Sequence, residues 1–124
     1  MDTQYYQEYE HRAQSHWWFR GRRSILKVLI EKFLLQGNPI KILEVGTGPG
    51  GIGELLNQYG WFVGLDKHFP ALKSVQGKLQ HLTSGQLEAL PFADHVFDAV
   101  FACDVLEHLR DEQEALGELK RVCK

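Results

Sequence analysis

The chain is poor in cysteine, has no long apolar run and carries no dominant charge. Cys103 and Cys123 are its two cysteines, and they lack the CxxC spacing of a zinc ribbon or redox pair, so reduced thiols are expected rather than a disulfide or metal cage. Histidines stand scattered at 11, 16, 68, 81, 95 and 108 without paired ligand spacing, and no metal is assigned. No stretch approaches the ~20 apolar residues that span a bilayer, so no membrane span is expected. Met1-Asp2-Thr3-Gln4 lacks signal-peptide character, and a cytoplasmic protein is the expectation. A formal charge of −2 gives no electrostatic reason to expect nucleic acid or an anionic membrane as partner. The basic cluster Arg20, Arg22, Arg23 and Lys27 reads as a solvated helix face.

With 124 residues, 44% of them hydrophobic and 24% charged, the chain has what one globular domain with a core requires. Residues 3–19 mix aromatic and polar side chains at helical spacing, with Tyr5, Tyr9, Arg12 and His16 on one stripe. His16-Trp17-Trp18-Phe19-Arg20 follows, and three adjacent aromatics cannot share one helix face. Surface packing is one reading. A lid over a ligand, formed by Trp17, Trp18 and Arg20, is the sharper one. Residues 1–23 are therefore set apart as an aromatic leader, and 24–124 as an α/β body.

Ile25, Val28, Leu29 and Phe33 predict a helix over Ser24–Leu35, stopped by Gly37 and Pro39. Ile40–Val45 reads as a buried parallel strand. A glycine-dense turn leads to a helix through Ile52, Leu55, Leu56 and Tyr59, capped by Gly60, and Trp61–Leu65 is a second strand ending at Asp66. Strand, loop, helix and strand in this span make a βαβ unit. Phe69–Val75 is a short helix opened by Pro70, Leu79–Thr83 a third strand, Gln86–His95 a loop and Val96–Ala102 a fourth strand. Asp104-x-x-Glu107 has capping-box spacing, as do Asp111 and Glu114 before a final helix whose Lys120, Arg121 and Lys124 suit its C-terminal dipole.

The turn carries the chemistry. Glycines permit positive φ and let backbone approach a ligand, and the following helix directs unpaired N–H groups at an anionic moiety. Gly46-x-Gly48-x-x-Gly51 fits a dinucleotide fingerprint, while Glu44-x-Gly46-x-Gly48-x-Gly50 fits a different one, so the loop alone leaves both open. Asp66, at the end of the next strand, can accept both hydroxyls of a ribose. An adenosine-containing ligand follows.

Ile42-Leu43-Glu44-Val45-Gly46-Thr47-Gly48-Pro49-Gly50, Val63-Gly64-Leu65-Asp66, Gly85-Gln86-Leu87-Glu88-Ala89-Leu90-Pro91-Phe92 with Phe97-Asp98, and Val105-Leu106-Glu107-His108-Leu109 together resemble the class I S-adenosylmethionine-dependent methyltransferases. His16-Trp17-Trp18-Phe19-Arg20-Gly21-Arg22 is similar to the leader of some bacterial members. The resemblance implies a Rossmann-like three-layer αβα fold, with parallel strands in the order 3-2-1-4, four of the seven in the family sheet. It implies S-adenosyl-L-methionine as cofactor and S-adenosyl-L-homocysteine as product, with no metal.

Glu44, Gly46, Gly48, Gly50, Asp66 and Gln86 would hold the cofactor, with Thr47, Lys67, Leu87 and Cys103 beside it. Glu44 would help with the amino group. Gln86 stands where the family usually has Asp, and its neutral carbonyl is a weaker partner for the adenine amine. A metal triad of Asp104, Glu107 and His108 is set aside because capping accounts for the two acids. His108 is the candidate general base. Asp98 and Glu88 read as strand-end and loop acids. A small-molecule methyl acceptor is expected, and self-association through the uncovered sheet edge. The alternatives are a cofactor-binding module without chemistry and a nicotinamide-dependent dehydrogenase fragment.

Overall fold

The computed structural model describes residues 3–34, 39–48 and 52–124. Four parallel strands, β1 (Ile40–Val45), β2 (Gly60–Asp66), β3 (His81–Ser84) and β4 (Ala99–Phe101), form one sheet in the order β3-β2-β1-β4, the predicted one. Alternation along the strands divides the core. Ile40, Ile42 and Phe62 face a cluster with Ile30, Ile52, Leu56 and Val75, while Leu43, Val45, Val63 and Leu65 face Leu87, Leu90, Phe97, Ala115 and Val122. The helices α1 (Thr3–Ser15), α2 (Trp17–Phe33), α3 (Gly53–Leu56), α4 (Phe69–Ser74) and α5 (Glu112–Val122) complete the element order. Ile30 of α2 and Leu56 of α3 enter the first cluster, and Ala115 and Val122 of α5 enter the second, which gives three layers.

Several boundaries differ from expectation, each for a local reason. α2 starts at Trp17, not Ser24, because His16 caps it: the His16 Nδ1 accepts from the Trp18 N–H at 3.3 Å. The division at residues 23 and 24 thus falls inside one helix. The expected stop at Gly37 lies outside the described residues. Gly60 is no helix cap. It opens β2 opposite Ile40, where a Cβ would come within 1.9 Å of the Ile40 carbonyl oxygen, so the backbone approach itself demands glycine and α3 is confined to four residues.

β3 begins at His81 because the Gln80 side chain takes the preceding ladder position: its Oε1 accepts from Phe62 N–H and its Nε2 donates to Gly60 O. β4 is shorter than expected because Val96 and Phe97 give their N–H groups to Val122 O, at the end of α5. The Asp98 carboxylate then accepts from Lys41 N–H at 2.7 Å, which holds that carboxyl below its usual range and ties the segment to β1. Asp111 caps α5 as predicted, accepting from the N–H groups of Gln113 and Glu114. Asp104 forms no capping box. It sits at φ 58°, the chain beyond it makes only the 3-10 turn Leu106–His108, and its carboxylate pairs with Arg22.

Candidate functional site

At the carboxyl ends of β1 and β2 lies a cavity of about 470 Å³. This is where an open parallel sheet receives ligands. Its walls come from four segments: Val45 and Gly46 at the end of β1, Leu65 to His68 at the end of β2, Gly85 to Glu88 after β3, and Val105, His108 and Leu109 after β4. Of the residues selected from sequence, Gly46, Asp66, Lys67, Gln86, Leu87 and His108 meet here.

Asp66 organises the rim. Only 8% exposed, its carboxylate accepts from Gly48 N–H at 2.8 Å through Oδ2 and from His68 N–H at 2.9 Å through Oδ1. Each oxygen retains a lone pair for a ligand hydroxyl. Leu65 O accepts from Gly46 N–H and Thr47 N–H, so β2 holds the glycine loop from both backbone and side chain. Gly46 (φ 76°) and Gly48 (φ 53°) adopt the left-handed conformation the turn requires. A Cβ on Gly46 would lie 2.4 Å from Val105 Cγ2, so the missing side chain is also what lets the segment after β4 close against the loop.

Other selected residues stand elsewhere. Gly50 lies outside the described residues. Glu44 and Thr47 are buried behind the loop and do not line the cavity: Glu44 falls on the same strand parity as Ile40 and Ile42, and its Oε2 lies 3.2 Å from the Thr47 hydroxyl. Burial pushes the Glu44 carboxyl up to about 8, against the lowering influences of Thr47 and of the Arg22 guanidinium. Cys103 does not line the cavity either. It packs against the cluster under α2, and burial raises its thiol, so it is no activated nucleophile. Trp17, 74% exposed, and Trp18 stand on the outer side of α2, their rings edge-to-face, and neither they nor Arg20 forms part of the cavity wall.

Sequence reasoning missed Arg22. Assigned to a solvated face, it points inward instead, pairing with Asp104, stacking over the Phe19 ring and acting electrostatically on Glu44 and Cys103. Its Nε is buried without a hydrogen-bond partner. The partners stand 82 positions apart, which left no local pattern to find. Arg121 stands in the last turn of α5, as expected, and does more there. It binds Glu118 and Asp94 and donates to Leu90 O and Phe92 O, while Glu118 accepts from Leu90 N–H, a role its spacing did not signal. This clamp fixes the loop that supplies Gln86 and Leu87 to the cavity. Among the described residues no group of three or more His, Cys, Asp or Glu is placed to hold a metal. No described helix is long and apolar enough to cross a membrane.

A glycine loop tied to a strand-end aspartate, in a sheet of order β3-β2-β1-β4, is the architecture of a Rossmann-like cofactor-binding protein. Residues 43–124 match the family model of the methyltransferase domain, and the chain belongs to that family. It is 31% identical over 106 residues to malonyl-[acyl-carrier protein] O-methyltransferase of Pseudescherichia vulneris, covering 83% of this chain and 42% of that protein. It is 29% identical over 100 residues to demethylmenaquinone methyltransferase of Thermotoga maritima, covering 77% and 44%. The chain thus spans less than half the length of these curated relatives. Among solved structures, it superposes with TM-score 0.78 on a SAM-dependent methyltransferase of Thermotoga maritima, at 20% identity, covering 98% of this chain and 55% of that one. Superposition on the PH0226 protein of Pyrococcus horikoshii gives TM-score 0.74 at 26% identity, covering 89% and 55%.

Proposed function

We propose that this chain binds S-adenosyl-L-methionine and serves an S-adenosylmethionine-dependent methyltransferase whose acceptor is a small molecule, releasing S-adenosyl-L-homocysteine. The observation that carries the reading is the Asp66 carboxylate, buried at the cavity rim with acceptor capacity to spare and locked to the glycine loop. Asp66 accepts the ribose hydroxyls, the Gln86 carbonyl accepts from the adenine amine, and Leu87, Val105 and Leu109 supply apolar walls that exclude water. When bound, the cofactor supplies an electrophilic methyl group on a sulfonium for in-line displacement. The chain's own work is to orient and desolvate, and His108 stands on the cavity wall where it can take a proton from an acceptor. A small-molecule acceptor agrees with the relative named for demethylmenaquinone. Two free thiols suit a cytoplasmic setting.

Titration calorimetry tests the reading. S-adenosylhomocysteine is expected to bind and NAD not, and Asp66→Ala to weaken S-adenosylhomocysteine at least tenfold. Binding of NAD alone overturns the assignment, and an unchanged affinity in Asp66→Ala removes the ribose role. Binding without chemistry is the second reading. Binding with no methyl transfer to any thiol-ester or quinol acceptor would select it.

A further inference from the structure

We infer that the outer flank of α2 is a docking surface for the interface of an anionic lipid bilayer, with Trp17 and Trp18 as interfacial anchors and Arg20, Arg23 and Lys27 as the cations that meet lipid phosphate. The inference goes beyond the cofactor reading and does not depend on it. α2 has two apolar faces where its packing needs one. Leu26 and Ile30 turn to the cluster shared with β1 and β2. At 3.6 residues per turn, Trp17, Trp18, Ile25, Val28, Leu29 and Phe33 fall on a second flank of roughly half the helix circumference. All six are exposed, Trp17 by 74%. The two indoles meet edge-to-face at 6.1 Å and His16 stacks on Trp17 at 5.8 Å, which holds the pair outward at the first turn.

Charge is segregated onto the same helix. Five cations, Arg20, Arg22, Arg23, Lys27 and Lys32, stand against one acid, Glu31, so α2 carries +4 in a chain whose formal charge is −2. The whole-chain value averages this away. Arg22 is taken up by Asp104, and Glu31 accepts from the Tyr59 hydroxyl, but Arg20, Arg23 and Lys27 have no acidic partner among the described residues. Unpaired cations beside exposed indoles match the layered chemistry of a bilayer interface, where indoles sit at headgroup level and long cationic chains reach lipid phosphates. A lone helix flank is convex and offers a folded protein no groove, whereas a fluid interface moulds to it. Arg22 and Asp104 join the first half of α2 to the segment after β4, whose Val105 lines the cavity. Docking would therefore set the cavity beside the membrane and open it to an acceptor dissolved in lipid.

Flotation with vesicles tests the surface, because it separates lipid-bound chain from free oligomers. Vesicles of phosphatidylcholine and phosphatidylglycerol in equal parts should carry the chain upward, and vesicles of phosphatidylcholine alone should leave it behind. Binding should be lost at about 1 M salt, where the screening length is about 3 Å. Arg20→Gln with Lys27→Gln should weaken binding roughly 25-fold, about fivefold for each cation taken from the surface. Brominated phosphatidylglycerol should quench the tryptophan fluorescence of the wild type, and Trp17→Phe with Trp18→Phe, which leaves Trp61 as the only indole, should abolish the quench. The inference is overturned by no flotation with anionic vesicles, by equal flotation with neutral ones, by a glutamine variant that binds as well as the wild type, or by a quench that survives in the phenylalanine variant. Should the glutamine variant fail to fold, as circular dichroism will read, the quench of the wild type and its loss at high salt decide. Oligomers that exclude vesicles would assign the flank to a second copy, and capture by polyglutamate equal to that by anionic vesicles would assign it to an acidic protein; either result overturns the inference.

Discussion

Two residues show how a single position is bound by its surroundings. Glu44 is buried, and its carboxyl, raised to about 8, favours the protonated form in the folded chain. The unfolded chain ionises first, so the stability that neutral Glu44 contributes is fully present below the ordinary value of 4.5 and is lost as pH rises toward about 8. Glu44→Gln should therefore flatten the decline of the melting temperature between pH 5 and pH 8.5, as thermal melts over that range will read; an unaltered slope would refute the assignment. Gly60 is bound by space alone. With a Cβ placed within 1.9 Å of Ile40 O, Gly60→Ala must push β1 and β2 apart, and a loss of about 3 kcal/mol is expected in urea unfolding.

At the scale of elements, loops are positioned by groups distant in sequence. The segment Gln86–His95 has little regular structure, yet Leu90 and Phe92 are held by Arg121 and Glu118 of α5. Arg121 holds the Glu118 carboxyl down to about 2, so the clamp contributes stability above the usual carboxylate range near 4.5 that is lost as pH falls toward 2. Arg121→Ala should speed amide exchange at Leu90 and weaken S-adenosylhomocysteine binding through the freed Gln86–Leu87 wall, with the β1 and β2 amides still protected. Uniform loss of protection would instead mark a global effect. α2 teaches the same point from the other side: a capping histidine joined the aromatic leader to the next helix, and this turned Arg22 inward while Trp17 and Trp18 faced out.

At the scale of the whole molecule, two surfaces stand open among the described residues. β4 pairs with β1 alone, and α2 exposes Trp17, Trp18, Ile25, Val28, Leu29 and Phe33. An edge strand and a broad apolar helix face both favour association. Sedimentation velocity over a concentration series should show reversible oligomers, and a strictly monomeric profile at the highest concentration would count against this. Phe33→Glu with Leu29→Glu on the same face should shift that profile toward monomer.

The sequence by itself determined the fold class and, through the family its motifs resemble, the strand order and several residues that line the cavity. These are carried by short-range signals: apolar runs, glycines at a turn, an acid ending a strand. Asp66, Gly46, Lys67, Gln86, Leu87 and His108 were all legible because each sits at the carboxyl end of a strand or just beyond, and a parallel sheet brings such ends together. Only the tertiary structure decided that Glu44 and Thr47 lie behind the loop, that Cys103 packs under α2, that Asp104 answers Arg22 instead of capping a helix, and that Arg121 grips a distant loop. Contacts of that kind depend on where a side chain points once the layers have packed, and on partners up to 82 residues apart, for which no spacing rule exists.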